Sequence, residues 1–393
     1  MLGSVKNANA LWSMIFARII YAVNWMNVGA IFFLMGPDLG ASVSGLGTLT
    51  ATFYLGIGLL QVPGGLLVAR WGPKKVSVLG VFLSSFSALG TSVLTTIPEI
   101  AILRFLVGVG MAFVFAPGVV IIANLLRGGK SGMGVGLYNS AYNVGGLFAL
   151  FGWVVVAGVT GWRLSLALSG GLGVLSGILT LLFVPRDESN LVSSISRGPL
   201  LAILKDWQLI KIGLVMLGFD MSNSIVSGFM IYYLVSINLA SATVASLVAS
   251  LVTVVPIFTS IWGGRIYDTM GKHRLAMILS VVGSAAALAL GAYPSLYAAV
   301  ACSVLAGVVA GVGYTFGFAG ARDLHHAGKE YEGLAIAWVN SLHLTGSVIP
   351  PVFFSFIVEW LGYSQGWLWS AVLTLVFVCP MLVMVENWRP RGA

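Results

Sequence analysis

Charge is what this chain has least of. Of its 393 residues, 8% are charged and 58% hydrophobic, whereas a soluble domain carries roughly 25% charged residues. A soluble fold is therefore excluded. Cysteine is nearly missing as well: Cys302 and Cys379 stand alone in apolar stretches, which leaves no disulfide framework and no thiolate metal site. The chain holds no Walker-type phosphate loop, no HExxH and no Cys/His cluster at metal spacing, so nothing points to an enzyme, a metal or a cofactor. What abounds is glycine, with 50 residues, and long apolar runs, with a mean hydropathy of +0.99. A hydrocarbon core of about 30 Å takes about 20 apolar residues in helix, and lipid tolerates no unpaired backbone group, so repeated runs of that length specify an all-α membrane protein. Twelve runs are expected, near 11–35, 47–69, 76–96, 100–125, 133–156, 164–184, 210–235, 243–266, 275–292, 296–319, 333–358 and 366–385.

The few charges are placed one-sidedly. Of 20 Lys and Arg, 17 fall in the N-terminus, the loops after even-numbered runs and the C-terminus, while the opposite loops hold Arg163 with Asp38, Glu99 and Glu359. Basic loops stay in the cytoplasm, so both termini are expected inside a multi-pass plasma-membrane protein. The net charge of +8 follows from this rule, and no nucleic-acid partner is needed to explain it. The first apolar run is too long for a secretory leader and lacks a small-residue cleavage site, so no cleavable signal is expected.

Internal duplication comes next. The turns GGLLVARWGPKKV from Gly64 and GGRIYDTMGKHRL from Gly263 sit at matching places. Asn24 and Asn27 in run one match Asp220 and Asn223 in run seven, Gly108 matches Gly307, and GMGVGLYNSAYNVG from Gly132 matches GLAIAWVNSLHLTG from Gly333. A chain repeated in this way reads as two pseudo-symmetric six-helix halves, 1–185 and 211–393, joined by a cytoplasmic linker at 186–210, which is the organisation of secondary transporters.

These residues resemble the major facilitator superfamily over essentially the whole chain. The family's loop signature between spans two and three is matched by Gly65, Arg70, Gly72 and Lys74, with Ala69 where the family has an acid; its second copy has Gly264, Asp268 and Gly271, with Thr269 in place of the arginine. The resemblance implies that these loops latch the halves in the outward-open state, weakened in the N half by the missing acid. Arg104, Gly108 and Gly110 match the family's span-four signature, whereas the Gly-Pro pair of its antiporters is replaced by Ala141 and Tyr142. That replacement implies symport or uniport. The stretch from Asn24 through Gly36–Ser42 into Phe53, Tyr54, Gly56, Gln61 and Pro63 is similar to the organic-anion:cation, oxalate/formate and nitrate branches, without the paired substrate arginines of the nitrate group.

Polar groups inside the apolar runs mark the candidate site, because ionisable groups in lipid face a cavity or a partner. Three charges sit well inside: Arg18, Arg104 and Asp220. At 1.5 Å per residue, Asp220 lies roughly 15 Å beyond Lys211 and Asn24 roughly 18 Å beyond Trp12, both central; Arg18 lies about 9 Å from the cytoplasmic side and Arg104 about 8 Å from the outer side. Stripes at helical spacing add Asn223, then Asn139, Tyr142 and Asn143, then Asn340 and His343. The expectation is that Asp220, with Arg104, handles a proton, because desolvation disfavours a charged carboxylate at that depth. Asn24, Asn27, Tyr54, Asn139, Tyr142, Asn143, Asn223, Asn340 and His343 are expected to bind substrate, and Arg18 to steer or gate it. The blander readings stay open: Asn and Ser stripes often do no more than tie helices together, at about 0.6 kcal/mol per contact, and an arginine near the interface can snorkel.

The function expected is alternating-access transport, a proton-coupled symport of a small organic anion by a monomer. The alternative is an antiporter exporting amphipathic or cationic compounds; a membrane sensor is disfavoured because no appended soluble domain is expected. Restoring the absent acid, Ala69→Asp, is expected to alter the inward/outward balance, read as changed cysteine accessibility at the cavity mouth.

Overall fold

The computed structural model describes residues 5–126, 131–185, 197–270, 273–324 and 331–383, and helices dominate it. Span one is α1 (Val5–Ala30) continued by α2 (Phe32–Leu39) across a 52° bend at Ile31. Spans two and three are α3 (Val43–Trp71) and α4 (Pro73–Thr91); span four is α5 (Ile97–Ala112) with α6 (Phe115–Leu125). Span five begins as α7 (Ser131–Leu147) and passes a π-helical turn at Phe148–Gly152 into α8 (Trp153–Phe183). Within α8, Gly161 has φ 78°, a left-handed conformation that suits glycine, and there the chain turns back as span six. After α9 (Arg197–Leu204), spans seven to ten are α10 (Trp207–Ser236), α11 (Ala242–Met270), α12 (His273–Gly291) and α13 (Leu296–Leu324). Span eleven is α14 (Glu332–Gly346) with α15 (Ile349–Leu361), and span twelve is α16 (Tyr363–Val376) with α17 (Cys379–Leu382).

Nine helical stretches among the described residues are long and apolar enough to cross a membrane. The bent first span adds another, the Gly161 turn divides the 48-residue stretch Gly136–Phe183 in two, and the 19-residue α4 completes the twelve expected. The linker differs from expectation at its end: α9 is helical, and span seven starts at Trp207, four residues before Lys211, because the Asp206 side chain accepts from Gln208 N at 2.9 Å and caps it. Residues 186–196 and Gly271 lie outside the described residues.

The two halves meet at the end of the bundle that holds Phe32 and Leu46 and part toward the end that holds Leu11 and Met381. At the first end one apolar core is shared by both halves, running from Val28, Phe32 and Leu46 to Phe229, Phe354 and Trp367. The rings of Phe32, Phe229 and Phe354 follow one another at 5.6 and 5.1 Å. Glycine lets the backbones touch: a Cβ on Gly29 would lie 3.0 Å from Gly228 Cα, and one on Gly58 would strike Thr345. Ser44 N donates to Glu359 Oε2 at 3.1 Å, and Ser341 Oγ donates to Gly58 O at 2.7 Å, both across the halves. At the other end the cores are separate, one around Leu11, Met14, Ile122 and Tyr138, the other around Ile212, Met216, Tyr267 and Phe316.

Overpacking a close helix contact costs about 1–3 kcal/mol, a shift of about 5- to 150-fold in a two-state balance. Gly29→Leu is therefore expected to open the outer side. The check is a Thr50→Cys reporter in a Cys302→Ser, Cys379→Ser background, labelled from outside, with labelling expected to accelerate at least several-fold.

Candidate functional site

Asp220 is the centre of a polar cluster buried within the C half. Its side chain is about 1% exposed. Oδ1 accepts from Asn223 Nδ2 at 3.0 Å, one turn along span seven, and from the Tyr314 hydroxyl of span ten. Oδ2 accepts from Ser347 Oγ at 2.9 Å and lies 3.3 Å from His343 Nε2, both of span eleven. Ser347 reaches the acid because span eleven breaks there: Pro350 and Pro351 cannot continue an α-helix, so α14 ends at Gly346 with Ser347 as its C-cap, bonded through N to His343 O at 2.9 Å. Tyr314 and His343 also approach each other, O to Nε2, at 3.4 Å. The Asp220 carboxylate therefore has a donor on every side.

Arg18 is held in the opposite manner. Its guanidinium lies among four rings, Tyr21 at 4.4 Å, Tyr142 at 4.7 Å, Phe115 at 4.8 Å and Tyr138 at 5.0 Å, drawn from spans one, four and five. It is 6% exposed, and its buried Nε and Nη1 have no hydrogen-bond partner. A desolvated cation–π contact is worth about 2 kcal/mol, yet ring faces accept no proper N–H bond, and an unsatisfied buried donor costs about 1–3 kcal/mol. The cage holds the cation and leaves its donors wanting an acceptor.

Between the two charges stands a group of tyrosines. Tyr142 is close enough to feel both Arg18 and Asp220, and Tyr54 both Asp220 and Arg104. Trp25, seven residues above Arg18 on the same face of span one, packs edge-on against Phe53 (5.0 Å), Tyr54 (5.9 Å) and Tyr142 (5.9 Å). Asn139 is exposed, on the face of span five that carries Gly146 two turns higher. Gly146 touches Thr253 of span eight, so Asn139 lies where the two spans part toward the cytoplasm. Asn143 and Tyr142 are half-buried; Asn340 is buried three residues from His343.

Several expectations need correcting. Asn24 and Asn27 do not face the midline. Asn27 Nδ2 donates to Ser169 Oγ of span six at 3.0 Å and approaches Asn24 Oδ1 at 3.5 Å, while Asn24 lines a small cavity of about 10 Å³ with Ser84, Ser85 and Ser176, room for one water. They tie the N half together. Arg104 takes no part in the Asp220 cluster: its Nη1 donates to Asn24 O at 2.9 Å and its Nη2 to Trp25 O at 3.2 Å, with the guanidinium 4.6 Å above the Phe53 ring. It clamps the backbone of span one. In the cytoplasmic loops, Gly72 turns the chain with φ 82° and begins span three, Arg70 is exposed, and Gly65 and Gly264 have open space where a Cβ would stand. Asp268 is exposed, and the tight contact is made by its neighbour: Tyr267 donates to Asp323 Oδ2 at 2.6 Å, and Arg322 Nε to Asp323 Oδ1 at 2.8 Å. Tyr314 was missed in the sequence because a lone Tyr in a Gly/Ala-rich span reads as packing; its being the one hydroxyl-bearing aromatic in span ten beyond Tyr297 was the available signal.

The sequence profile described as Major Facilitator Superfamily matches residues 14–239 and 212–392. The chain belongs to that superfamily. An uncharacterized MFS-type transporter of Methanocaldococcus jannaschii is 23% identical, covering 94% of this chain and 96% of its own. The nitrite extrusion protein of Bacillus subtilis is 22% identical, with 93% and 91% covered, and a probable galactarate/D-glucarate transporter of the same organism is 24% identical, with 84% and 80% covered. Among solved structures, the nucleoside transporter NupG superposes with a TM-score of 0.79 at 13% identity, covering 96% of this chain and all of that one; an inward-facing, occupied bacterial homologue of the lysosomal transporter Spinster gives 0.76 at 16%, covering 99% and 100%. The fold is the superfamily's, and these relatives are transporters.

If Arg104 is a clamp, Arg104→Lys removes one charge-assisted bond and is expected to cost about 1.5–3 kcal/mol. Melting in detergent should fall by several degrees with the pH profile of transport unmoved. An unchanged melting temperature with a shifted pH profile would return Arg104 to proton handling.

Proposed function

We propose that this superfamily transporter is a proton-coupled symporter that brings a small organic anion into the cell, a plasma-membrane monomer with both termini in the cytoplasm. One contrast carries the reading: the buried acid already has its donors, whereas the buried arginine lacks acceptors. A cationic substrate would leave Arg18 unsatisfied and compete for an acid already engaged. An anion completes the set. The substrate-bearing names among the full-length relatives, nitrite and galactarate/D-glucarate, agree with an anion.

Charge balance then supplies the coupling. Around Asp220 stand Asn223 on its own span, Tyr314 from span ten, His343 and Ser347 from span eleven, and Tyr54 and Tyr142 from the N half. With one proton, the Asp220–His343 pair is neutral; without it, the pair carries one negative charge, whichever atom holds the proton. The empty carrier pairs Arg18⁺ with that negative charge, and the loaded carrier pairs Arg18⁺ with the anion beside a protonated pair. Both are neutral overall. Anion without proton, or proton without anion, leaves a net charge in the membrane interior, which is costly. Only empty and doubly loaded forms cross easily, which makes one proton accompany one monovalent anion.

Asp220→Asn removes the negative charge from the empty carrier and leaves the anion-loaded form neutral. Proteoliposomes bearing it are expected to lose proton-driven accumulation and keep anion–anion exchange, while the wild type takes up protons with the anion and ignores an imposed membrane potential. Loss of exchange together with accumulation would move Asp220 to substrate binding or scaffolding.

A further inference from the structure

Resting on the reading that an anion binds at Arg18, we propose that the substrate is a monocarboxylate built on a flat aromatic ring, and that Trp25 and Tyr142 of the N half, with Tyr314 and Phe318 of the C half, form the slot for the ring. The charge count comes first. Arg104 gives Nη1 and Nη2 to the carbonyls of Asn24 and Trp25 and keeps one unmatched donor, Nε, whereas Arg18 keeps two, Nε and Nη1. One cation neutralises one carboxylate. A second carboxylate reaching toward the midplane would face Asp220, which is itself acidic.

The walls give the body. Trp25 and Tyr142 are half-buried although both lie deep in their spans. Phe53, Tyr54 and Tyr21 hold their planes at steep angles, at 5.0 to 6.2 Å. In the C half, Tyr314 and Phe318 are also half-buried, one turn apart on span ten, and stack at 6.0 Å with 15° between their planes, and Tyr314 is close enough to feel Tyr142. Aromatic rings attract one another in edge-to-face and offset geometry beyond what area burial gives, and a planar guest meets such a wall from either half. Tyr142 borders both the cage of Arg18 and Trp25, so the carboxylate and the ring of one small molecule fit side by side.

Binding is measured by titrating the purified, full-length protein in lipid nanodiscs with four probes: 4-hydroxybenzoate, propionate, nitrate and D-glucarate. The expected result is 4-hydroxybenzoate binding at least about ten-fold tighter than the other three, the scale of one or two aromatic contacts. Trp25→Leu and Phe318→Leu, each checked for an unchanged melting temperature, should each bring 4-hydroxybenzoate several-fold closer to propionate and leave propionate unmoved, while Trp25→Phe retains most of the preference. Arg18→Gln should abolish binding of every anion. Equal binding of the small anions, all dependent on Arg18, would overturn the aromatic slot and leave the anion reading standing. Binding of none of the four would overturn both.

Discussion

A charge inside the membrane must be answered by something, and this structure answers three charges in three ways. Arg104 is met by two backbone carbonyls, which fixes it as a strut between spans one and four. Asp220 is met by side-chain donors from three helices, which ties spans seven, ten and eleven together at mid-depth. Arg18 is met by four rings. Asp220 is fully supplied with donors, and Arg104 keeps one unmatched donor, Nε. Among the described residues Arg18 keeps two, Nε and Nη1, and ring faces supply electrostatic attraction without a carbonyl or carboxylate acceptor for them.

The two charges to which the proposed function gives roles belong to different halves. Rocking of the halves changes the surroundings of Arg18 and Asp220 relative to each other, while the contacts that hold each of them stay within their own half. The tyrosines between them are shared: Tyr54 and Tyr142 come from the N half and feel the acid of the C half. The hinge of this movement is on the outside, where the glycine contacts allow the backbones of spans one and seven to touch. Small residues there give close van der Waals packing without directional bonds, a contact that can be remade after it separates.

Much of the fold was legible because lipid imposes strong rules. Span length and backbone satisfaction each leave a one-dimensional trace, and the all-helical fold of long apolar spans follows from them. Asp220 was legible for the same reason, since an acid in an apolar run stands out whatever surrounds it. Asn24 and Asn27 were read wrongly because helical periodicity reports which residues share a face and says nothing of what that face meets; here it meets Ser169. The cage of Arg18 was out of reach, because its rings come from three spans and each alone reads as packing.

The cage also bears on why an arginine in that position need not be paired with a protein acid. Had an Asp or Glu stood beside Arg18, the pair would be neutral, and an incoming anion would have to displace a carboxylate already held by a charge-assisted bond. Rings keep the guanidinium charged and in place while offering a far weaker contact to give up. In the proposed coupling the balancing charge is that of Asp220, held in the other half by Asn223, Tyr314 and Ser347, so the carrier would balance its charge across the whole site and leave Arg18 open. In the proposed symport a substrate anion would stand in for Asp220 as the counter-charge of Arg18, and the Asp220–His343 pair would then take a proton without leaving a net charge on the three groups.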